Sequence, residues 1–152
     1  MALAKFIGNI EAKVDAKGRV FLPAQFRKSL QQSGEDTLAM RKDVYERCLV
    51  LYPESSWDSQ MEELRSKLNR WDAAQQMVFR QFVSDVEMVS IDGSGRLLIP
   101  KRCIQLAGIG QQVRFVGMGD TIEIWNADGE CVDAPFMDPG EFGKALQGVM
   151  RS

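Results

Sequence analysis

The sequence predicts an α+β fold, mainly β, built from two pseudo-symmetric β-rich halves with flanking amphipathic helices. Three observations carry this. Asp15-Ala-Lys-Gly-Arg19-Val-Phe-Leu-Pro23 returns 77 residues later as Asp92-Gly-Ser-Gly-Arg96-Leu-Leu-Ile-Pro100, with Asp, Gly, Arg and Pro at identical spacing. Cys48-Leu-Val-Leu-Tyr52 returns as Thr121-Ile-Glu-Ile-Trp125 at an offset of 73. After each copy, apolar residues recur at helical spacing. Two copies at so long a period fit paired subdomains and not a solenoid.

The elements follow in order. Lys5 to Val14 and Val83 to Ile91 read as strands leading into the motifs. Asp-Ala-Lys-Gly and Asp-Gly-Ser-Gly are turns, since Asp bonds its own backbone at the first position and Gly accepts positive φ at the last. Such a turn is a common hairpin loop, and strands Arg19 to Leu22 and Arg96 to Ile99 follow it. Pro23 and Pro100 stop those strands and suit a first helical turn. Short helices are predicted over Ala24 to Gln32 and Lys101 to Ala107, ended by Ser33-Gly34 and Gly108. Leu38 to Arg41 with Leu49 to Tyr52, and Val113 to Gly117 with Ile122 to Trp125, complete the two units. The first copy carries its extra residues near Arg41 to Arg47, a polar loop.

Three stripes follow helical periodicity: Trp57, Met61, Leu64 and Leu68; Trp71, Ala74, Val78 and Phe82; and Phe142, Ala145, Leu146 and Val149. Each is compatible with burial in the core or with packing against another subunit. The chain therefore divides into a first repeat over 5–53, a helical connector over 54–82, a second repeat over 83–126, and an acidic segment with a C-terminal helix over 127–152.

Composition narrows the function. The 152 residues contain no histidine, which removes Ser–His and Cys–His nucleophiles and His-based metal sites. No nucleotide-binding glycine loop or G-x-S-x-G is present. An enzyme is not expected, nor a cofactor, a metal or a small-molecule substrate. Cys48, Cys103 and Cys131 are odd in number and widely spaced, which suits buried inert thiols. Apolar runs are too short for a membrane span and the first residues lack a signal-peptide segment, so a cytoplasmic location is expected. The net charge of −2 taken alone argues against a nucleic-acid partner. Its distribution does not. Residues 120–141 hold seven acids and no Lys or Arg, whereas residues 13–28 carry +4.

Taken together, these residues resemble the MraZ family of bacterial transcriptional regulators. The resemblance rests on Phe6 and Gly8 before Asp15-x-Lys-Gly-Arg19-x-x-x-Pro23-x-x-x-Arg27, then Cys48-Leu-Val-Leu-Tyr52-Pro53 with Trp57. It continues through Asp92-x-x-Gly-Arg96-x-x-Ile-Pro100, Leu106-Ala-Gly, Val116-Gly117 and Ile122-Glu-Ile-Trp125, and so covers about residues 5 to 150. It implies a tandem AbrB-like fold, ring-shaped homo-oligomers, and binding of double-stranded promoter DNA at short direct repeats, with a nucleoid-associated location. The implied target is a cell-division and cell-wall operon, and the implied effect is repression. The D-x-x-x-R motif used on DNA maps onto Asp15, Arg19, Asp92 and Arg96.

The chemistry suits that role. Arginine offers a planar fork for phosphate or for guanine O6 and N7. Lys17 adds a charge for phosphate, and Gly18 and Gly95 are expected to let the backbone approach the duplex. Asp15 and Asp92 are expected to cap the turn and orient the arginine across it. A plain loop-stabilising Asp–Arg pair, contributing about 0–1 kcal/mol, is the competing account. Arg27, Lys28, Lys101 and Arg102 are equally compatible with the DNA face and with solvated helix surface. Ser94 stands where the first copy has Lys17, and Ile104 stands opposite Arg27, so the N-terminal loop is expected to grip phosphate more strongly. A ring-forming protein-interaction scaffold with the same fold is the alternative function.

Overall fold

In a computed structural model, residues 5–129 and 136–151 are described. Glu130, Cys131 and Asp133 of the acidic segment lie outside them. The chain runs β1 (Asn9–Lys13), β2 (Arg19–Phe21), α1 (Ala24–Ser33), β3 (Thr37–Lys42), β4 (Leu49–Pro53), α2 (Glu54–Lys67) and α3 (Ala73–Ser84). It then repeats as β5 (Glu87–Ser90), β6 (Arg96–Leu98), α4 (Lys101–Ala107), β7 (Gln112–Gly117), β8 (Ile122–Asn126) and α5 (Pro139–Met150). The α+β, mainly β reading holds. Pro23 and Pro100 occupy the N-caps of α1 and α4, and Gly34 and Gly108 their C-caps.

The strand order makes the duplication visible. One six-stranded sheet runs β1-β7-β8-β4-β3-β5, and a two-stranded ribbon pairs β2 with β6. Replacing each strand by its repeat equivalent reverses the six-strand order onto itself, so a pseudo-twofold axis passes between β8 and β4. All the pairings are antiparallel.

The expected hairpins are reduced to their turns, each closed by one Asp-to-Arg backbone hydrogen bond, with a single antiparallel bridge, Ile91 to Leu97, in the second copy. β1 and β2 flank a tight turn but do not pair with each other. β1 lies on β7, β5 lies on β3, and β2 lies on β6, so each of these strands finds its partner in the other half. The physical reason is burial. Val20 and Leu97 point inward at 1% and 0% exposure and join one core with Leu22, Phe26, Leu38, Phe115 and Ile124, drawn from both halves. Two halves this small bury far more apolar surface interleaved than they would apart.

The helical stripes divide. Trp57 is buried in a second cluster with Ala39, Val50 and Tyr52, with Met61, Phe82, Val83 and Val86 packed against it. Its ring meets Tyr52 edge-on at 5.2 Å and stacks on Phe82 at 5.1 Å. Val83 therefore belongs to α3 and not to the following strand, which starts at Glu87. Trp71, Ala74 and Val78 are exposed, as are Phe142, Leu146 and Val149 of α5. Of the second stripe only Phe82 is packed, against the Trp57 cluster, and the α5 stripe stays on the surface of the chain. Cys48 and Cys103 are buried thiols, their pKa values raised chiefly by desolvation. No described helix is long and apolar enough to cross a membrane.

Candidate functional site

Both motif loops have one geometry. The Asp15 amide donates to the Arg19 carbonyl at 2.9 Å, and the Gly18 amide to the Asp15 carbonyl at 3.0 Å. Asp15 Oδ1 accepts from the amides of Lys17 and Arg19, each at 2.9 Å, and Oδ2 accepts from Arg19 Nε at 2.9 Å. In the second loop Asp92 Oδ1 accepts from the amides of Ser94 and Arg96 at 2.9 Å, and Oδ2 from Arg96 Nε at 3.1 Å. The backbone amide of Arg19 is the largest cause holding the Asp15 carboxyl below its ordinary pKa, and the Arg96 amide does the same for Asp92. Each aspartate thus caps its turn and orients its arginine, using only Nε. Among the described residues no hydrogen bond engages Nη1 or Nη2 of Arg19 or Arg96, which leaves the terminal fork of each guanidinium open to a ligand.

The ribbon brings the two arginines onto one face. Arg19 lies across from Leu98, and Phe21 across from Arg96. With Val20 and Leu97 buried beneath, Arg19, Phe21, Arg96 and Leu98 form the outer surface. Strand geometry sets the Cα atoms of the two arginines roughly 8 Å apart.

The glycines serve the interior. Gly18 and Gly95 have φ of +85° and +88°, and both are buried. The Gly18 carbonyl accepts from the Ile99 amide at 2.9 Å, and the Gly95 carbonyl from the Leu22 amide at 3.1 Å, a reciprocal clasp between the halves. A Cβ on Gly18 would lie 3.2 Å from the Ile99 carbonyl oxygen, and one on Gly95 would lie 2.9 Å from Arg27 Cδ. The left-handed backbone of the turn requires glycine at both positions, and the packing of one half on the other leaves little room for a Cβ.

This packing also redistributes charge. The first loop, with Lys17, faces Ile104. The second loop, with Ser94, faces Arg27 from the first half, which lines a cavity of about 200 Å³ with Asp92, Gly93 and Gly95. A basic side chain of the first half thus lies beside the second loop, in a cavity that Glu35 and Asp36 also line. No feature of the linear sequence signals this, because the contact exists only when the halves interleave.

The remaining basic candidates separate. Lys28 and Lys101 are exposed on α1 and α4. Arg102 is engaged by Asp85 and by Glu87, the latter at 3.1 Å, and ties α4 to the junction of α3 and β5. A cavity of about 680 Å³ lies between the β3–β4 loop and the α2–α3 pair and includes Arg41, Tyr45, Leu64 and Phe82. Among the described residues no group of His, Cys, Asp or Glu is placed to hold a metal ion.

Comparison with known proteins agrees with this architecture. A family described as "MraZ protein, putative antitoxin-like" matches residues 6–81 and 82–129, one match for each half. The chain is 60% identical over 146 residues to "Transcriptional regulator MraZ" of Phocaeicola vulgatus, covering 96% of this chain and 94% of that one. It is 56% identical to the protein of that name from Bacteroides fragilis, covering 98% and 93%. Similarity reaches Coxiella burnetii, at 35% identity over 74% of this chain and 73% of the relative.

Proposed function

This chain belongs to the MraZ family, and from that premise we propose that it is a transcription regulator that binds promoter DNA with the outer face of the β2–β6 ribbon. The observation that carries the reading is the pair of capped loops that present two arginines, their terminal forks unengaged by described residues, on one face. A two-stranded antiparallel ribbon fits the major groove, and each fork matches a guanine edge or a phosphate. A spacing of roughly 8 Å is about two to three base-pair steps.

One chain neutralises few phosphates, so a ring of chains belongs to the same proposal: several ribbons on one surface raise the effective concentration. Support comes from α3, where Trp71 just before it and Met77 and Val78 within it stand exposed at 95%, 64% and 52%. Light scattering of the purified protein reads the assembly directly. The proposed target is the cell-division and cell-wall operon, with repression as its effect, readable from a promoter reporter.

Gel shift on the DNA upstream of the chain's own reading frame tests the interface. Arg19→Ala with Arg96→Ala is expected to abolish retention while the circular dichroism spectrum stays unchanged, since the exposed ion pairs contribute only about 0–1 kcal/mol. The wild type is expected to show a steep salt dependence, which a protein-interaction scaffold would lack. Unchanged affinity in the double variant would refute the reading.

A further inference from the structure

Two large apolar side chains share the ribbon face with the arginines. Phe21 is 57% exposed and Leu98 54%, on strands whose opposite sides are fully buried. They are equivalent positions of the repeat, so the feature occurs twice. The register sets Phe21 across from Arg96 and Leu98 across from Arg19. Each arginine thus has an apolar neighbour supplied by the other half.

Solvent exposure of these two residues gives the fold nothing, since the core is closed by Val20 and Leu97 beneath them. A surface that alternates guanidinium and large apolar side chains at strand spacing matches a partner with anionic and apolar groups at similar intervals. The major groove is such a partner. Its edges carry acceptors for arginine, and its apolar feature is the C5-methyl of thymine.

We propose that Phe21 and Leu98 are specificity-determining residues that pack on thymine methyl groups. The inference rests on the DNA-binding reading above and extends it: the arginines supply charge and guanine contacts, and the apolar pair distinguishes thymine from the other bases. The methyl is the single group that separates thymine from uracil, so the contact can be removed from the DNA side without altering base pairing.

The experiment uses the full chain and the DNA fragment upstream of its own reading frame, amplified once with dTTP and once with dUTP. Fluorescence anisotropy at fixed salt measures both affinities. Burial of one methyl corresponds to about a fourfold change in affinity. Wild type is expected to lose at least that factor on uracil DNA. Phe21→Ala with Leu98→Ala is expected to weaken binding to the thymine fragment and to bind both fragments within about twofold. Phe21→Leu, which keeps an apolar surface, is expected to retain part of the discrimination. Equal binding of both fragments by wild type overturns the proposal, as does an undiminished thymine preference in the double variant. If that variant melts early, the wild-type comparison alone decides. Failure of wild type to bind the thymine fragment overturns the DNA-binding reading and this inference with it. Arginine-dependent binding without methyl discrimination overturns this inference only.

Discussion

Gly95→Ala probes the clasp between the halves, because two separate costs meet at that position. Its φ of +88° lies where an L side chain is strained, at about 1–2 kcal/mol. The new Cβ would also press on the Arg27 side chain, whose Cδ lies 2.9 Å away. Arg27 can swing aside, which forces an off-rotamer side chain at about 1 kcal/mol. The total is about 2–3 kcal/mol, or roughly 4–10 °C in Tm for a chain of this size. In an Arg27→Ala background the steric part disappears and only the backbone part remains. A double-mutant cycle by urea unfolding, with protomer concentration held fixed, is therefore expected to give a coupling of about 1 kcal/mol. Gly18→Ala provides the contrast. Its Cβ meets the Ile99 carbonyl oxygen at 3.2 Å, a backbone atom, so Arg27→Ala leaves its cost unchanged. A coupling below about 0.3 kcal/mol between positions 95 and 27 would refute the placement of Arg27 over the second loop.

Further outcomes are expected. Carboxyl NMR titration is expected to give Asp15 and Asp92 midpoints below the ordinary aspartate value near 3.8, since amide donors hold both carboxylates charged. Because folding lowers these pKa values, the stabilisation they supply is present above the unfolded-state pKa and is lost as pH falls through the folded one. Loop amide protection should therefore decline only in strong acid, and midpoints at or above 3.8 would contradict the capped turn. Trp57→Ala removes a buried ring from between Tyr52 and Phe82 and is expected to cost about 3–5 kcal/mol in chemical denaturation. Arg102→Ala breaks ion pairs with two half-exposed carboxylates, and its measured loss of stability is expected to stay under about 1 kcal/mol.

Much of the local structure was legible in the chain. Asp-x-x-Gly turns, Pro at the helix starts and Gly at the ends placed α1 and α4 within a residue of where they lie. The capping role of Asp15 and Asp92 followed from the chemistry of a short acceptor at the first turn position. The α3 stripe was misleading because periodicity marks a face and not its partner. Phe82 is packed, while Trp71 and Val78 on the same stripe are exposed. The start of β5 was missed because Val83 and Val86 suit a strand equally well and are held in and after a helix by the Trp57 cluster.

By itself the sequence determined that the chain is duplicated, which strands and helices each copy contributes, and that each copy carries one aspartate-capped arginine loop. Those properties depend on residues within a few positions of one another, where backbone preference and short hydrogen bonds decide. Only the tertiary structure decided which strand pairs with which. A β2 segment alternating Arg19, Val20 and Phe21 offers the same ladder to its own neighbour as to β6, and the deciding quantity is the apolar area that interleaving buries. From that choice come the shared arginine face, the burial of Gly18 and Gly95, and the delivery of Arg27 to the loop that lacks a lysine.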